Sequence, residues 1–104
     1  MNKCVQITVA VKNKREAEKI SVMLIRNKLA ACVQVLGPVK SVYTWKGKIK
    51  KTKEYLCFIK ADKKKADKIV KEIKRMHSYK VPEVIVTPII GGNPDYLRWV
   101  VEGA

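Results

Sequence analysis

Apolar and polar residues alternate along several stretches of this chain, in the two-residue period of a pleated strand. The alternation is clear over residues 5–11, 32–45 and 48–60. A shorter apolar run of the same kind begins at residues 84–86. These stretches predict four β-strands, the second and third being unusually long.

A different spacing follows the first strand. Ala17, Ile20 and Leu24 recur at helical intervals, which predicts one buried face of an α-helix ending near Lys28. Asn13 is suited to cap that helix, and Glu16 stands three residues later, where a capping box places its acidic partner.

Two more helices are predicted after the third strand. Ala66, Ile69 and Ile73 carry the apolar stripe of the second helix, with Asp62 as a plausible cap. Residues 93–95 read Asn-Pro-Asp: a capping side chain, a proline at the first helical position and a carboxylate at the positive end of the helix dipole. A short terminal helix is therefore expected there.

The second and third strands are separated by Lys46-Gly47, a tight-turn signal that joins them into a hairpin. A dozen residues at ~3.3 Å each extend on the order of 40 Å. A domain of this size has a radius of gyration of only ~13 Å. We therefore expect the hairpin to project beyond its own core and to be covered by another copy of the chain.

The predicted order βαββαβ, with an added terminal helix, indicates an α+β fold of the ferredoxin-like type in one domain spanning residues 1–104. Right-handed crossovers on that order give an antiparallel sheet with strands in the order 4-1-3-2 and both main helices on one face. The second strand then lies at an edge, which suits Pro38 because proline cannot donate to a strand ladder.

Charge is the outstanding feature of the composition. The chain carries 23 Lys and Arg against 9 Asp and Glu, a net charge of +14. Such an excess attracts polyanions, so a nucleic-acid-binding module is one alternative function. RNA-recognition domains on this fold need aromatic residues on one sheet face, whereas Tyr55 and Phe58 point to opposite faces. Only non-specific binding through lysines remains under that alternative.

The three cysteines, Cys4, Cys32 and Cys57, lie within apolar strand patterns and show no C-x-x-C spacing. We expect free, buried thiols and a reducing, cytoplasmic location. Residues 1–11 predict a strand rather than a signal peptide. No apolar run approaches the ~20 residues that span a bilayer, so no membrane partner is predicted.

Four sequence blocks resemble the CutA family, also called divalent-cation tolerance proteins. They are residues 28–33 (KLAACV), 41–49 (SVYTWKGKI), 77–83 (HSYKVPE) and 92–99 (GNPDYLRW). The blocks follow one another in the family's order and span nearly the whole chain. The resemblance implies a homotrimer of ferredoxin-like subunits whose long hairpins pair between neighbours. It also implies a role in tolerance to divalent metals such as copper, with no established enzymatic reaction.

The same architecture is similar to that of PII signalling proteins, which bind small ligands in clefts between subunits. By this resemblance, five side chains should line the corresponding clefts: Trp45, Lys60, Tyr79, Glu83 and Tyr96. The chain departs from the family pattern at the hairpin, where lysines occupy positions that are often acidic, namely Lys50, Lys51 and Lys53.

A copper or zinc site needs several converging ligands, including a thiolate or an imidazole. The candidates are His77, which is the only histidine, Cys32 and Glu83. Each has a structural alternative: His77 can end the second helix as a partly cationic ring, and Cys32 can be a buried strand residue. No nucleophile–base pair is identifiable, so we predict a non-enzymatic protein and, at most, a bound divalent ion as cofactor.

Overall fold

Four antiparallel strands form one sheet in the order β2-β3-β1-β4, which is the predicted order 4-1-3-2 read from the opposite edge. The computed structural model describes residues 3–103; Met1, Asn2 and Ala104, which fall within the predicted domain 1–104, lie outside the described part. The strands are β1 Cys4–Val11, β2 Cys32–Trp45, β3 Lys48–Asp62 and β4 Val84–Pro88, and the helices are α1 Lys14–Arg26, α2 Ala66–Met76 and α3 Pro94–Glu102.

The helix ends follow the capping chemistry of the sequence. Asn13 Oδ1 accepts a hydrogen bond from the Glu16 N–H at 2.8 Å, as predicted. Helix α1 ends at Arg26, two residues before the predicted end at Lys28. Lys28 has a left-handed φ of 57°, which turns the chain out of the helix. Asp62 caps a turn of 3₁₀ helix, Lys63–Lys65, that precedes α2.

The core lies between the sheet and helices α1 and α2. Ile7, Val9 and Ile59 point from the central strands toward the buried face of the helices, to which Leu24 and Ile69 belong. Alternation along the strands sends every second side chain into this layer. Among residues 3–103, no helix combines the length and apolar character needed to cross a bilayer.

The β2–β3 hairpin extends well past this core. Its turn is made by Lys46 and Gly47, with φ angles of 53° and 77° that a primed hairpin turn requires. The molecule measures 44 × 26 × 22 Å and its radius of gyration is 14.2 Å. Ile49, near the tip, is 75% exposed. The predicted overhang is thus present within a single chain.

A register shift between Leu36 and Val39 bends β2 where Gly37 and Pro38 stand, on the edge strand as predicted. A Cβ on Gly37 would lie 2.4 Å from the ring of Tyr55. Only glycine leaves room for that ring against the strand.

The second face of the sheet is covered only in part. Helix α3 packs at one end of it, where the Cys4 thiol donates to the Leu97 carbonyl oxygen at 3.4 Å. Elsewhere on this face, Leu36 and Ile85 are 56% and 49% exposed. This leaves an apolar surface that the chain does not cover itself.

Candidate functional site

A cavity of about 590 Å³ opens where the projecting hairpin leaves the core. Alternation puts Tyr43 and Trp45 on the same hairpin face as residues 50, 52 and 54 of the partner arm. The loop after α2 closes the opposite side. The wall consists of Ala10, Tyr43, Trp45, Lys50, Thr52, Glu54, Ser78, Tyr79, Lys80, Val81 and Glu83.

A buried carboxylate and a phenol form the centre of this cavity. Glu54 is only 7% exposed, and its Oε2 accepts a hydrogen bond from the Tyr79 hydroxyl at 3.0 Å. Burial, and then the neighbouring Glu54 carboxylate, raise the pKa of Tyr79 to about 12. Tyr79 is therefore a stable hydrogen-bond donor to Glu54 at neutral pH.

His77 fixes the position of Tyr79. Its Nδ1 accepts from the Tyr79 backbone N–H at 3.0 Å, and its Nε2 lies 2.7 Å from the Ala10 carbonyl oxygen. Nδ1 therefore acts as an acceptor, which assigns the donor role to Nε2, and His77 is the C-cap residue of α2, the helix-end position given as its structural alternative. The ring also packs on that of Tyr79, with centroids 4.9 Å apart.

The loop that carries Tyr79 is also tied to helix α1. Both carboxylate oxygens of Glu16 accept from Ser78, one from its backbone N–H at 2.8 Å and one from its hydroxyl at 3.0 Å. Burial alone would raise the pKa of Glu16, but these hydrogen bonds hold it below its ordinary value. The sequence suggested Glu16 only as a capping residue, so its role in the loop was missed.

The rest of the cavity offers mixed polarity. Lys50 and Lys80 bring positive charge, and Glu83 brings a second carboxylate. The Thr52 hydroxyl oxygen is buried and has no hydrogen-bond partner among the described residues. Trp45 is 46% exposed and presents an aromatic wall. Such a site can bind an organic molecule that carries both an anionic group and a hydrogen-bond donor.

The predicted cleft residues separate into two groups within one chain. Trp45, Tyr79 and Glu83 line the cavity together. Lys60 lies elsewhere, where its ammonium bonds the Gln34 side-chain oxygen and sits 6.0 Å from the centroid of the Phe58 ring.

Tyr96, the fifth predicted cleft residue, belongs to α3. Its ring packs on Trp99 with centroids 5.7 Å apart, and burial together with the nearby Cys32 thiol raises its pKa. Lys60 and Tyr96 do not line the cavity within one chain, so their cleft role stays a prediction.

The predicted metal ligands do not converge within one chain. No group of three or more His, Cys, Asp and Glu side chains suited to a metal occurs in residues 3–103. Cys32 pairs with Lys60, whereas the Glu83 carbonyl accepts from Ala10 near the other end of β1. Both nitrogens of His77 already have backbone partners. Metal binding by these residues stays a prediction that requires ligands from several chains.

Comparison with known proteins supports the family indicated by the sequence. A family model described as CutA1 divalent ion tolerance protein matches residues 5–103. The chain is 40% identical over 94 residues to the chloroplastic protein CutA 1 of Oryza sativa, covering 90% of this chain and 53% of that protein. It is 32% identical over 96 residues to the divalent-cation tolerance protein CutA of Thermus thermophilus, covering 92% and 93%.

Solved structures show the same fold. The divalent cation tolerance protein of Thermus thermophilus superimposes with a TM-score of 0.93 at 31% identity, covering 96% of this chain and 97% of that one. The periplasmic divalent cation tolerance protein CutA of Archaeoglobus fulgidus gives a TM-score of 0.90 at 35% identity, covering 93% and 94%. The chain spans about half the length of several plant and animal relatives, 53% of the rice protein and 52% of the mouse protein.

These relatives correct one prediction. The rice relative is described as chloroplastic and the Archaeoglobus structure as periplasmic. The cytoplasmic location deduced from the cysteines is therefore wrong. Cys4 and Cys57 are buried as expected, whereas Cys32 is only partly buried. Free thiols fail to indicate the compartment here because a cysteine packed in this way serves as a small apolar residue in any compartment.

Proposed function

Because the chain belongs to the CutA1 divalent ion tolerance family, we propose that it acts in divalent-cation tolerance as a homotrimer, without catalysis, and binds a small ligand in the hairpin cavity. The observation that carries this proposal is the hydrogen bond between buried Glu54 and half-buried Tyr79, in a cavity that also contains two lysines and the Thr52 hydroxyl, for which residues 3–103 supply no hydrogen-bond partner.

The homotrimer is proposed from surfaces that one chain leaves uncovered. The hairpin projects along a 44 Å axis, and apolar residues are exposed both near its tip, on the cavity side, and on the second sheet face, as Trp45 and Leu36 illustrate. Burying such surface is the main driving force of association. The family's solved structures share this fold. A neighbour placed against the hairpin would bring residues such as Lys60 and Tyr96 near the cavity.

The ligand proposed is a small organic anion with a hydrogen-bond donor. Its anionic group would pair with Lys50 or Lys80, and its donor would bond the remaining oxygen of Glu54 or the Thr52 hydroxyl. A buried carboxylate that already has one partner favours a ligand able to supply a second. The aromatic wall of Trp45 suits a planar part of such a molecule.

A divalent cation such as copper is the second candidate for the same cavity. The observation in its favour is the presence of two carboxylates, Glu54 and Glu83, among the residues that line the cavity. Hard or borderline cations accept carboxylate oxygen ligands. Within residues 3–103 of one chain, His77 and Cys32 do not form a metal-ligand group with these carboxylates. They could act as ligands only if different chains of an assembly brought them to the same ion.

Tryptophan fluorescence provides the test. The chain has two tryptophans, so Trp99→Phe leaves Trp45 as a reporter inside the cavity. We would titrate this variant with free amino acids, di- and tricarboxylates and mononucleotides. A cavity ligand should change Trp45 emission, and Lys50→Gln and Glu54→Gln should each weaken its binding at least tenfold. Lys71→Gln, on exposed α2 surface, is the matched control and should leave affinity unchanged.

Calorimetry with copper and zinc salts separates the two candidates. If a free metal binds and Glu54→Gln, Glu83→Gln or His77→Ala removes that binding, the metal is the ligand. If no compound or metal changes Trp45 emission, or if the Lys71→Gln control weakens binding as much as Lys50→Gln, ligand binding in this cavity is refuted.

A further inference from the structure

The opposite side of the projecting hairpin carries a group of lysines that the ligand cavity does not use. In the β2–β3 register Lys40 lies directly opposite Lys53, and alternation puts Lys51 on the same side. This side faces the helical layer, since Cys57 and Ile59 continue it into the core. Lys40, Lys51 and Lys53 are called the lysine triad below.

No acidic group neutralises the lysine triad within the described chain. The hairpin contains no Asp or Glu from Val39 to Lys53. The nearest carboxylate along the strand, Glu54, points to the other side and is bonded to Tyr79. The ion pairs found within residues 3–103 are Glu72 with Arg75 and Asp95 with Arg98, both outside the hairpin.

This arrangement works against folding. Like charges placed directly opposite one another on neighbouring strands destabilise the pair. All three members of the triad are solvent-exposed, so neutral residues at these positions would not disturb the core. The positive charge at these facing positions is therefore available to an anionic partner and is not explained by stability.

The lysine triad also borders a recess. A depression of about 330 Å³ is lined by Pro38, Val39, Lys40, Lys51, Thr52 and Lys53. Its size accommodates a phosphate group with its substituents, and every ionisable residue on its wall is a lysine. At the same end of the molecule, helix α1 begins with Lys14 and Arg15, next to the positive end of its own dipole. Positive charge therefore continues from the hairpin onto the helical layer.

We propose that this side of the hairpin binds the phosphate backbone of nucleic acid, with the lysine triad as its centre. Same-side lysines on one strand are roughly 6.6 Å apart, which corresponds to about two of the roughly 3.4 Å rises, measured along the helix axis, between successive phosphates of one DNA strand. A flat anionic membrane would contact only one plane of the chain. A nucleic acid can follow the charge from the hairpin to α1. Binding of this kind is independent of sequence, because lysines contact phosphates and not base edges.

Fluorescence anisotropy with a labelled mixed-sequence oligonucleotide, single-stranded and as a duplex, tests the proposal. We expect the variant Lys40→Gln/Lys51→Gln/Lys53→Gln to lose affinity on the order of 100-fold at low salt, because three phosphate contacts are removed. For the duplex, the slope of log K against log salt concentration should become less steep by about 2.7, which is about 0.9 for each of the three contacts removed. The matched control, Lys68→Gln/Lys71→Gln/Lys74→Gln on α2, loses the same charge and should change affinity less than about fivefold.

Three results would overturn the proposal. If both triple variants lose affinity equally, binding reflects net charge and not this surface. If vesicles containing phosphatidylserine bind through the lysine triad while the oligonucleotides do not, the partner is a membrane. If the triad variant keeps its nucleic-acid affinity but loses its oligomeric state by light scattering, the lysines pair with acidic groups of a sister subunit.

Discussion

Removing the Tyr79 hydroxyl tests the construction of the cavity. In Tyr79→Phe the ring can still pack on His77, but Glu54 loses the hydrogen bond that its Oε2 accepts at 3.0 Å. A hydrogen bond to a charged group contributes about 1.5–3 kcal/mol, and a buried carboxylate left without its partner costs a similar amount. With Glu54 only 7% exposed, water cannot readily replace the phenol. We expect a loss of about 1.5–3 kcal/mol in the free energy of unfolding.

A double-mutant cycle isolates this contribution. Glu54→Gln removes the charge that the phenol stabilises, so adding Tyr79→Phe to it should cost much less than in the wild type. Unfolding by guanidinium would be followed at one fixed protein concentration, since oligomerisation shifts apparent stability. A cost below about 0.5 kcal/mol for Tyr79→Phe, or an equal cost in both backgrounds, would refute the view that this pair is energetically coupled.

The pH dependence gives an independent check on the same pair. The folded-state pKa of Tyr79 is raised from 10.0 to about 12. Its stabilising contribution is therefore complete below pH 10 and is lost as pH rises through about 12. The stability difference between wild type and Tyr79→Phe should be constant from neutral pH to pH 10, where Glu54 stays ionised, and shrink above pH 10. Ultraviolet titration of Glu54→Gln should show a lower Tyr79 pKa, since burial remains but the carboxylate charge is gone.

Two further substitutions test the hairpin. Lys53→Glu should raise the free energy of unfolding by about 0.2–1 kcal/mol, measured by thermal unfolding, because it converts a repulsive pair with Lys40 into an attractive one. Adding Lys40→Glu should cancel the gain, because the pair is then repulsive again. Gly37→Ala should lower the free energy of chemical unfolding by about 1–3 kcal/mol, because the new Cβ meets the ring of Tyr55. In the control Gly91→Ala the new Cβ meets no side chain within 4 Å, so the free energy of unfolding should change by less than about 0.5 kcal/mol. Equal effects of the two glycine substitutions, or a loss of stability in Lys53→Glu, would contradict the packing and the register described.

The sequence predicted most of the fold because each element carries its own signal. Periodicity identified four strands and three helices, and side chains such as Asn13 and Asn93 marked helix starts that the structure confirms. The strand order followed from connection rules and from a proline that suits an edge. These features depend on residues close together in the chain, so a single sequence was sufficient to predict them.

The candidate site was less predictable because its contacts are distant in sequence. Glu54 and Tyr79 are 25 residues apart, and their pairing depends on how β3 lies beside β1 and on the course of the loop after α2. His77 is the C-cap residue of α2, the helix-end alternative that the sequence offered, and in addition it holds Tyr79 beside Ala10, a contact that the sequence did not predict. Every residue type has a backbone carbonyl, so the amino-acid sequence could not identify Ala10 as the partner of His77.

The central claim is that the projecting hairpin is sheltered, and the cavity completed, by sister subunits. Size-exclusion chromatography coupled to light scattering measures this directly at micromolar protein concentration. A homotrimer of 11.8 kDa chains has a mass of three times 11.8 kDa, about 35 kDa. That mass is the predicted result. A folded species of 11.8 kDa would contradict the claim and, with it, the proposal that neighbouring chains complete the ligand site.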